Sequence, residues 1–324
     1  MRHAFEVMKR WTDDPRVRVR NEAPLRADGD CVVVWIQRAQ RATDNAALDV
    51  AIHAANALGK PVVAFLGLVP YYPNANLRHY SFLLEGVPDL AEGLRARGVA
   101  FVLRRYPDHH LARFVSEVSA CLVVGDENPM REPESWRQKL AKELRVALWT
   151  VDADVVVPTV LLEKEPFAAR TARPRIHKHL DRFLRHEPEP VAKIAFVAPR
   201  KLASLDPKSD LLEGFPIDRS VAPVSGFRGG AREGLARLDR FVREGLAGYN
   251  EQRNKPSLRG TSLLSPYLHF GHLGPRQVAL AVAKSKAPAV DRDAFLEQLI
   301  VRRELAIGFV RFNPDYDRLE GCET

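Results

Sequence analysis

Cysteine is scarce in this chain: Cys31, Cys121 and Cys322 are the only three in 324 residues. They are too few and too scattered for a disulfide framework or a zinc site. Cys31 and Cys121 each open an apolar run, so buried thiols in a reducing, cytoplasmic setting are expected. Long hydrophobic runs are missing too. None approaches the ~18 residues that suggest a membrane span, so no membrane partner is expected. The N-terminus is Arg-rich but carries Glu6, Asp13 and Asp14 and has no apolar segment, which argues against a signal peptide. No G-x-G-x-x-G follows the first apolar strand, and no G-x-x-x-x-G-K-[ST] occurs anywhere. Dehydrogenase and P-loop functions lose their main support. Tryptophan is absent after residue 150, since Trp11, Trp35, Trp136 and Trp149 all lie in the first half.

What is present fits a globular protein of one large or two ordinary domains. The chain is 46% hydrophobic and 28% charged, with a formal net charge of +8. A basic surface suits a polyanion such as nucleic acid, although many basic enzymes never touch one.

Residues 1–29 show little periodicity and read as a surface arm with one short helix. From residue 30 a rhythm sets in. Apolar runs of strand length at 31–36, 62–68, 100–103, 121–125 and 147–151 alternate with helical stretches at about 46–58, 79–97, 110–119 and 133–144. Short, wholly apolar strands between amphipathic helices predict a Rossmann-like, doubly wound parallel sheet over residues 30–155. Ligands of such sheets bind at the carboxyl ends of the strands, here the loops at 37–41 and 125–127. Residues 156–232 are rich in proline and charge and read as an interdomain connection, with a helix around 175–184. From 233 to 324 the pattern is helical only. Leu235, Leu238, Val242, Leu246 and Tyr249 form one stripe, Ser265-Pro266 and Gly274-Pro275 open helices, and 293–309 forms another.

Several clusters invite a chemical reading. His109-His110, His177-Lys178-His179 and His269-x-x-His272 lack the carboxylates or cysteines that would complete a metal site, so no metal is expected. Gly226-Phe227-Arg228-Gly229-Gly230 follows no strand and reads as a flexible linker. The basic run from Arg170 to His179 is either a solvated loop or a contact for DNA phosphates, and composition favours the former. The segment Thr261-Ser262-Leu263-Leu264-Ser265-Pro266 sets three hydroxyls directly before a helix start. Helix capping and anion binding, for instance to a cofactor pyrophosphate, both explain it. In the 295–305 stretch, Glu297 and Glu304 are placed to pair with Arg302 and Arg303 on an exposed face.

Taken in order, "VVVWIQRAQRATDNAAL", "LVPYYPNANLRHYSFLLEGV", "REPESWRQKLAKEL", "PFAARTARPRIHKHL", "SPYLHFGHL" and "FLEQLIVRRELAIGFVRFNPDYDRLEG" resemble the DNA photolyase/cryptochrome family. They are most similar to its class II cyclobutane-pyrimidine-dimer photolyases, from about Cys31 to Gly321. The resemblance implies an N-terminal α/β antenna domain and a C-terminal all-α FAD-binding domain. It also implies light-driven electron transfer from reduced flavin to a pyrimidine dimer flipped out of DNA. By motif match, Tyr249, Thr261, Ser262, Leu263, Leu264 and Ser265 would hold FAD. Arg253 and Glu297 would face the lesion, with Glu297 as the catalytic carboxyl, and Arg302 and Arg303 would lie near the DNA surface. An antenna chromophore, deazaflavin or folate in the family, could occupy the α/β domain.

The chain ends at Thr324, where family members continue through further helices. The resemblance therefore leads us to expect an incomplete FAD domain, no tryptophan relay after residue 150, and a helical face exposed to a partner or a second copy. Two other readings stand beside repair. One is a non-catalytic relative, a DNA-binding or sensory fragment or the product of an interrupted gene; the other is a nucleotide-binding α/β protein using only its first domain.

Overall fold

A computed structural model describes residues 8–198 and 202–322. Glu6 in the arm and Pro199 in the connection fall outside the described residues. Six strands form one sheet: β1 (Val17–Val19), β2 (Cys31–Trp35), β3 (Val62–Leu68), β4 (Ala100–Arg105), β5 (Ala120–Asp126) and β6 (Ala147–Val151). Their order is β1-β6-β5-β2-β3-β4, and every pair except β1–β6 is parallel. This is a Rossmann-like sheet, with the order reversing between β2 and β5. In β2 every residue is buried because both faces are covered. Val32 and Val34 point into one apolar layer, and Cys31, Val33 and Trp35 into the other.

Helix α1 (Ala46–Leu58) starts at Asn45, whose side chain accepts the amides of Ala47 and Leu48, and stops at left-handed Gly59. Such a cap contributes about 1 kcal/mol. The single helix expected over 79–97 is two, α2 (Leu77–Glu85) and α3 (Val87–Ala96), divided at Gly86 and Pro88. These pack with α1 on one face. Helices α4 (Leu111–Glu117) and α5 (Arg131–Glu143) cover the other.

The arm is not only a surface segment. Residues 8–12 are helical, and β1 pairs antiparallel with β6, Val17 opposite Val151. Three residues give no local strand signal; the pairing is fixed by Arg20, whose guanidinium reaches Glu127 and Glu134 at 2.7 Å. The connection is likewise pinned. Helix α6 (Ala169–Phe183) begins well before the expected 175 and runs through Pro174. The carbonyl that Pro174 cannot serve is that of exposed Arg170, where water can satisfy it. Further on, Ala203, Ser204 and Leu205 bond to Leu103 and Arg104 along the free side of β4. The expected flexible linker is docked: Gly229 N–H donates to Glu85 and Gly230 N–H to His272.

The helical half comprises α7 (Ala231–Arg240), α8 (Tyr249–Gln252), α9 (Ser265–His269), α10 (Pro275–Ala283), α11 (Ala289–Leu296) and α12 (Arg303–Phe312). π-Helical turns follow α7 (Phe241–Gly245) and join α11 to α12 (Glu297–Arg302). The first shifts the expected stripe: Leu235 is exposed, whereas Phe241 joins Leu238, Leu246 and Tyr249 in the core. Helix α6 contributes Ala169, Ala172 and Ile176 to this same core.

Candidate functional site

The loop after β2 is the architectural centre of the molecule. Gln37 and Arg38 donate their amides to Asp126, at the end of β5, at 3.2 and 2.7 Å, and the Ala39 amide makes a third, short bond to it. The side chain of Asn45 donates to the carbonyls of Ala39 and Arg41, so the loop is held from both sides. Arg41, fully buried, donates to the carbonyls of Asp44, Ala153 and Gly271.

The helical half closes on this loop through two glycines. Gly271 has φ +70°, and a Cβ there would sit 1.7 Å from the Arg38 carbonyl oxygen. A Cβ at Gly274 would sit 1.8 Å from the Asp44 carboxylate, which accepts from the Arg276 guanidinium (2.6 Å) and the Gln277 amide (2.9 Å). The glycines of "HFGHLGP" thus serve the seam between the halves.

Carboxylates stitch the rest of this seam. Asp154 takes Arg38 and Arg303 at 2.7 and 2.6 Å, with Arg41 at 3.7 Å. Burial alone would raise its pKa, but Arg303, Arg38 and Arg41 outweigh burial and hold it below the usual carboxylate range. Glu304 was expected on an exposed face paired with arginine; it is instead buried and accepts the amides of Val156 and Val157 at 2.6 and 3.1 Å. The π turn before α12 rotates it inward. Burial pushes its pKa up to about 8. His272 is buried too, and burial lowers its pKa to about 4, leaving Nδ1 a neutral acceptor for the Gly230 amide.

Above the β2 loop lies a cavity of about 1020 Å³, walled by the ends of β2 and β3, the loop after β3, α5 and α12. Tyr71, Tyr72 and Trp136 line it edge to face, with ring centroids 5.9–6.4 Å apart. Tyr71 shares a 2.7 Å hydrogen bond with His109, whose Nδ1 is buried without a partner. Gln37, Arg38, His269, Phe270 and Arg303 complete the wall nearest the loop. The expected position at the ends of the first and fourth apolar strands is thus close to a cavity. Its aromatic wall was not foreseen, although "LVPYYPN" after β3 carries the signal.

The residues matched to FAD gather elsewhere, on the helical half. Tyr249 packs between Phe241 and Phe295 at 5.8 and 5.3 Å. Leu264 is buried in the same core, while Thr261, Leu263 and Ser265 are exposed and Ser262 is half-buried. Leu263 has φ +55°, which turns the chain sharply. Thr261 and Ser265 spend no side-chain hydrogen bond within the described residues, whereas Ser262 accepts weakly from the Leu264 amide at 3.4 Å. Arg253, one turn after Tyr249, buries its Nε without a partner.

Glu297 opens the second π turn. Arg173 of α6 grips it through two bonds of 2.7 and 3.0 Å, and Arg302 stands at 3.8 Å. The Arg173 bond lowers its pKa, so the carboxylate is ionised. Arg302 is exposed, but Arg303 turns inward onto Asp154 and lines the cavity. Sequence reasoning placed these two neighbours on one surface; the helix separates them. It passed over Asp154, and it met Asp126 and Arg173 only as members of the 125–127 loop and of the basic run from Arg170 to His179. The signal for the aspartates was a carboxylate inside or just after an apolar run.

Among the described residues no group of three or more His, Cys, Asp or Glu could hold a metal ion. No described helix is long and apolar enough to cross a membrane.

A family model described as DNA photolyase matches residues 32–193, half of the chain. Deoxyribodipyrimidine photo-lyase of Methanothermobacter thermautotrophicus is 36% identical over 313 residues, covering 93% of this chain and 66% of that protein. The enzyme of the same name from Potorous tridactylus is 32% identical over 328 residues, covering 99% and 61% respectively. The chain therefore spans about three-fifths to two-thirds of these relatives' length. Among solved structures, a Synechocystis cryptochrome superposes with a TM-score of 0.71 at 20% identity, over 88% of this chain and 62% of that one. That match speaks for the fold: a photolyase-type α/β domain followed by a helical domain.

Proposed function

The chain belongs to the DNA photolyase family, and from that footing we propose that it acts as a deoxyribodipyrimidine photo-lyase of the class II kind, on DNA carrying cyclobutane pyrimidine dimers. The observation that carries this reading is the uncommitted polar set on the helical half. The hydroxyls of Thr261 and Ser265 are free, and the buried Nε of Arg253 lacks an acceptor beside Tyr249. The hydroxyls suit a dinucleotide's phosphates, so Tyr249, Thr261, Ser262, Leu263, Leu264 and Ser265 would hold FAD. Bound flavin would supply light absorption and the electron on which repair turns. Arg253 would face the lesion, and Arg302 would meet the DNA backbone. Glu297 would sit beside the flipped pyrimidines. While Arg173 grips it, this carboxylate only accepts hydrogen bonds; donation to a pyrimidine carbonyl requires a proton, hence a loosened Arg173 contact. The aromatic cavity beside the β2 loop would take the antenna chromophore.

A second reading, a relative that binds DNA or senses light without repair, draws on that same Arg173–Glu297 grip, which leaves no proton on the carboxyl.

The test is light-dependent repair of a dimer-containing oligonucleotide by the full chain, with the visible flavin band recorded. Repair is expected, and Glu297→Ala should cut its rate about a hundredfold. An equal rate in the variant would remove Glu297 from the reaction. A colourless protein that still binds the oligonucleotide would favour the second reading.

A further inference from the structure

Glu297 is set into a basic face built from two elements. Arg170, Arg173 and His177 recur along α6 at spacings of three and four, so they share one side of that helix, and Arg170 and His177 are exposed. From the other element, the π turn closes residue i onto i+5, which brings exposed Arg302 to 3.8 Å from Glu297. The Arg173 bonds hold the Glu297 carboxyl below its usual range against the effect of burial, and the charges of Arg302 and His177 add to that from the two sides. The pair itself is open to water, with the Arg173 side chain 41% exposed and that of Glu297 25%. An ion pair so placed contributes at most about 1 kcal/mol, so another anion can displace the carboxylate. A nucleic-acid phosphate offers the same two-oxygen acceptor to a guanidinium, and its counterions are released when an arginine takes it. Arg303 is different: its partner Asp154 is only 5% exposed and is shared with Arg38 and Arg41, which rules out such an exchange.

We propose that Arg173 is a positioning residue that changes partner: it holds Glu297 in the free protein and passes to a backbone phosphate when DNA docks, which frees the carboxyl to take a proton and donate it in a hydrogen bond to the lesion. The proton comes from solvent, so DNA binding takes up one proton at Glu297 and no covalent bond to carbon changes. This rests on the placing of Glu297 beside the flipped pyrimidines and adds what releases it.

Fluorescence anisotropy of a labelled, dimer-containing duplex, titrated with the full chain and with Arg173→Ala, Glu297→Gln and the double variant, tests the exchange. Arg173→Ala should cost about tenfold in affinity in the Glu297→Gln background, where the guanidinium is free beforehand, and about threefold in the wild type, where the pair must first break. In the Glu297→Gln background it should also lower the slope of log affinity against log salt by about 1. If Arg173 only shields DNA from the Glu297 charge, the order reverses, since Gln leaves no charge to shield. An equal or smaller cost in the Glu297→Gln background, or an unchanged slope, overturns the exchange while dimer binding and the proposed function stand. Wild-type affinity should also fall relative to that of Glu297→Gln as the pH rises from about 5 to about 8. His177 titrates in both proteins, so the ratio isolates Glu297; a constant ratio overturns the proton uptake, and this comparison decides the matter even if Arg173→Ala does not fold. A wild type that binds no dimer duplex overturns the proposed function and the exchange with it.

Discussion

Replacing Glu304 with Gln is expected to make the protein more stable than the wild type at alkaline pH and to leave it nearly unchanged in acid. Glu304 is buried, its Oε1 holding the amides of Val156 and Val157 and its Oε2 without a partner. Burial raises its pKa to about 8. The amides of Val157 and Val156 and the charge of Arg303 pull the other way, and Asp152 adds to the rise. In the unfolded chain a glutamate titrates near ~4.3. The folded state therefore binds the proton more tightly, and unfolding between about pH 4.3 and 8 releases it. Stability from this group is fully present in acid and falls by about 1.4 kcal/mol per pH unit across that window, at most about 4–5 kcal/mol in all. That rivals the whole margin of many folded proteins. Gln keeps an acceptor for both amides and has no proton to lose. The groups facing Glu304 are Arg303 on α12, Asp152 after β6 and Arg16 from the arm. They remain in both proteins, so the difference between the two isolates Glu304. Urea unfolding from about pH 5 to about pH 9 reads it directly. The difference should grow linearly to near pH 8 and then level off. A flat difference would refute the buried proton.

Asp154→Ala strips the shared partner from Arg38, Arg41 and Arg303 and should cost about 3–5 kcal/mol in urea unfolding; a loss below about 1 kcal/mol would mean those cations are hydrated. Gly271→Ala forces a Cβ into the Arg38 carbonyl at positive φ. It should cost on the order of 1–3 kcal/mol and speed proteolysis of the seam, and an unchanged melting temperature would contradict that packing. Arg302→Ala should weaken DNA binding and reduce the slope of log affinity against log salt by about 1, whereas Arg303→Ala should act through stability; an unaltered slope for Arg302→Ala would remove it from the DNA surface.

The sheet was legible because buried parallel strands are written as uninterrupted apolar runs. Val62–Leu68 and Ala147–Val151 coincide with their runs, since side chains between two covered faces are mainly apolar, and the one hydroxyl in the second, that of buried Thr150, is hydrogen-bonded to Glu127. β1 was illegible: Val17–Val19 is three residues long, and its place depends on Arg20 meeting Glu127 across the fold. The π turns escaped notice because an extra residue in a helix leaves no local mark. Their effect is to bury Phe241 and Glu304, residues that a regular 3.6-residue period assigns differently. The site divides along the same line. Thr261, Ser262 and Ser265 stand out as a cluster before a helix start. Arg173 and Glu297, 124 residues apart, meet only through tertiary packing, and Asp126 and Asp154 look in sequence like ordinary polar ends of strands.

The arm and the connection have a consequence for the protein in a crowded cell. A sheet whose outer strands show bare amides and carbonyls invites a strand from another molecule. On one side β1 takes up that capacity of β6, and it is itself very short, carries Arg18 and is followed directly by Arg20. On the other, residues 203–205 lie along β4. Removing the first twenty residues would uncover Trp149–Val151 in an apolar, β-branched stretch, so the arm doubles as a guard against aggregation, and proteolytic nicking there would turn the protein sticky before it unfolded.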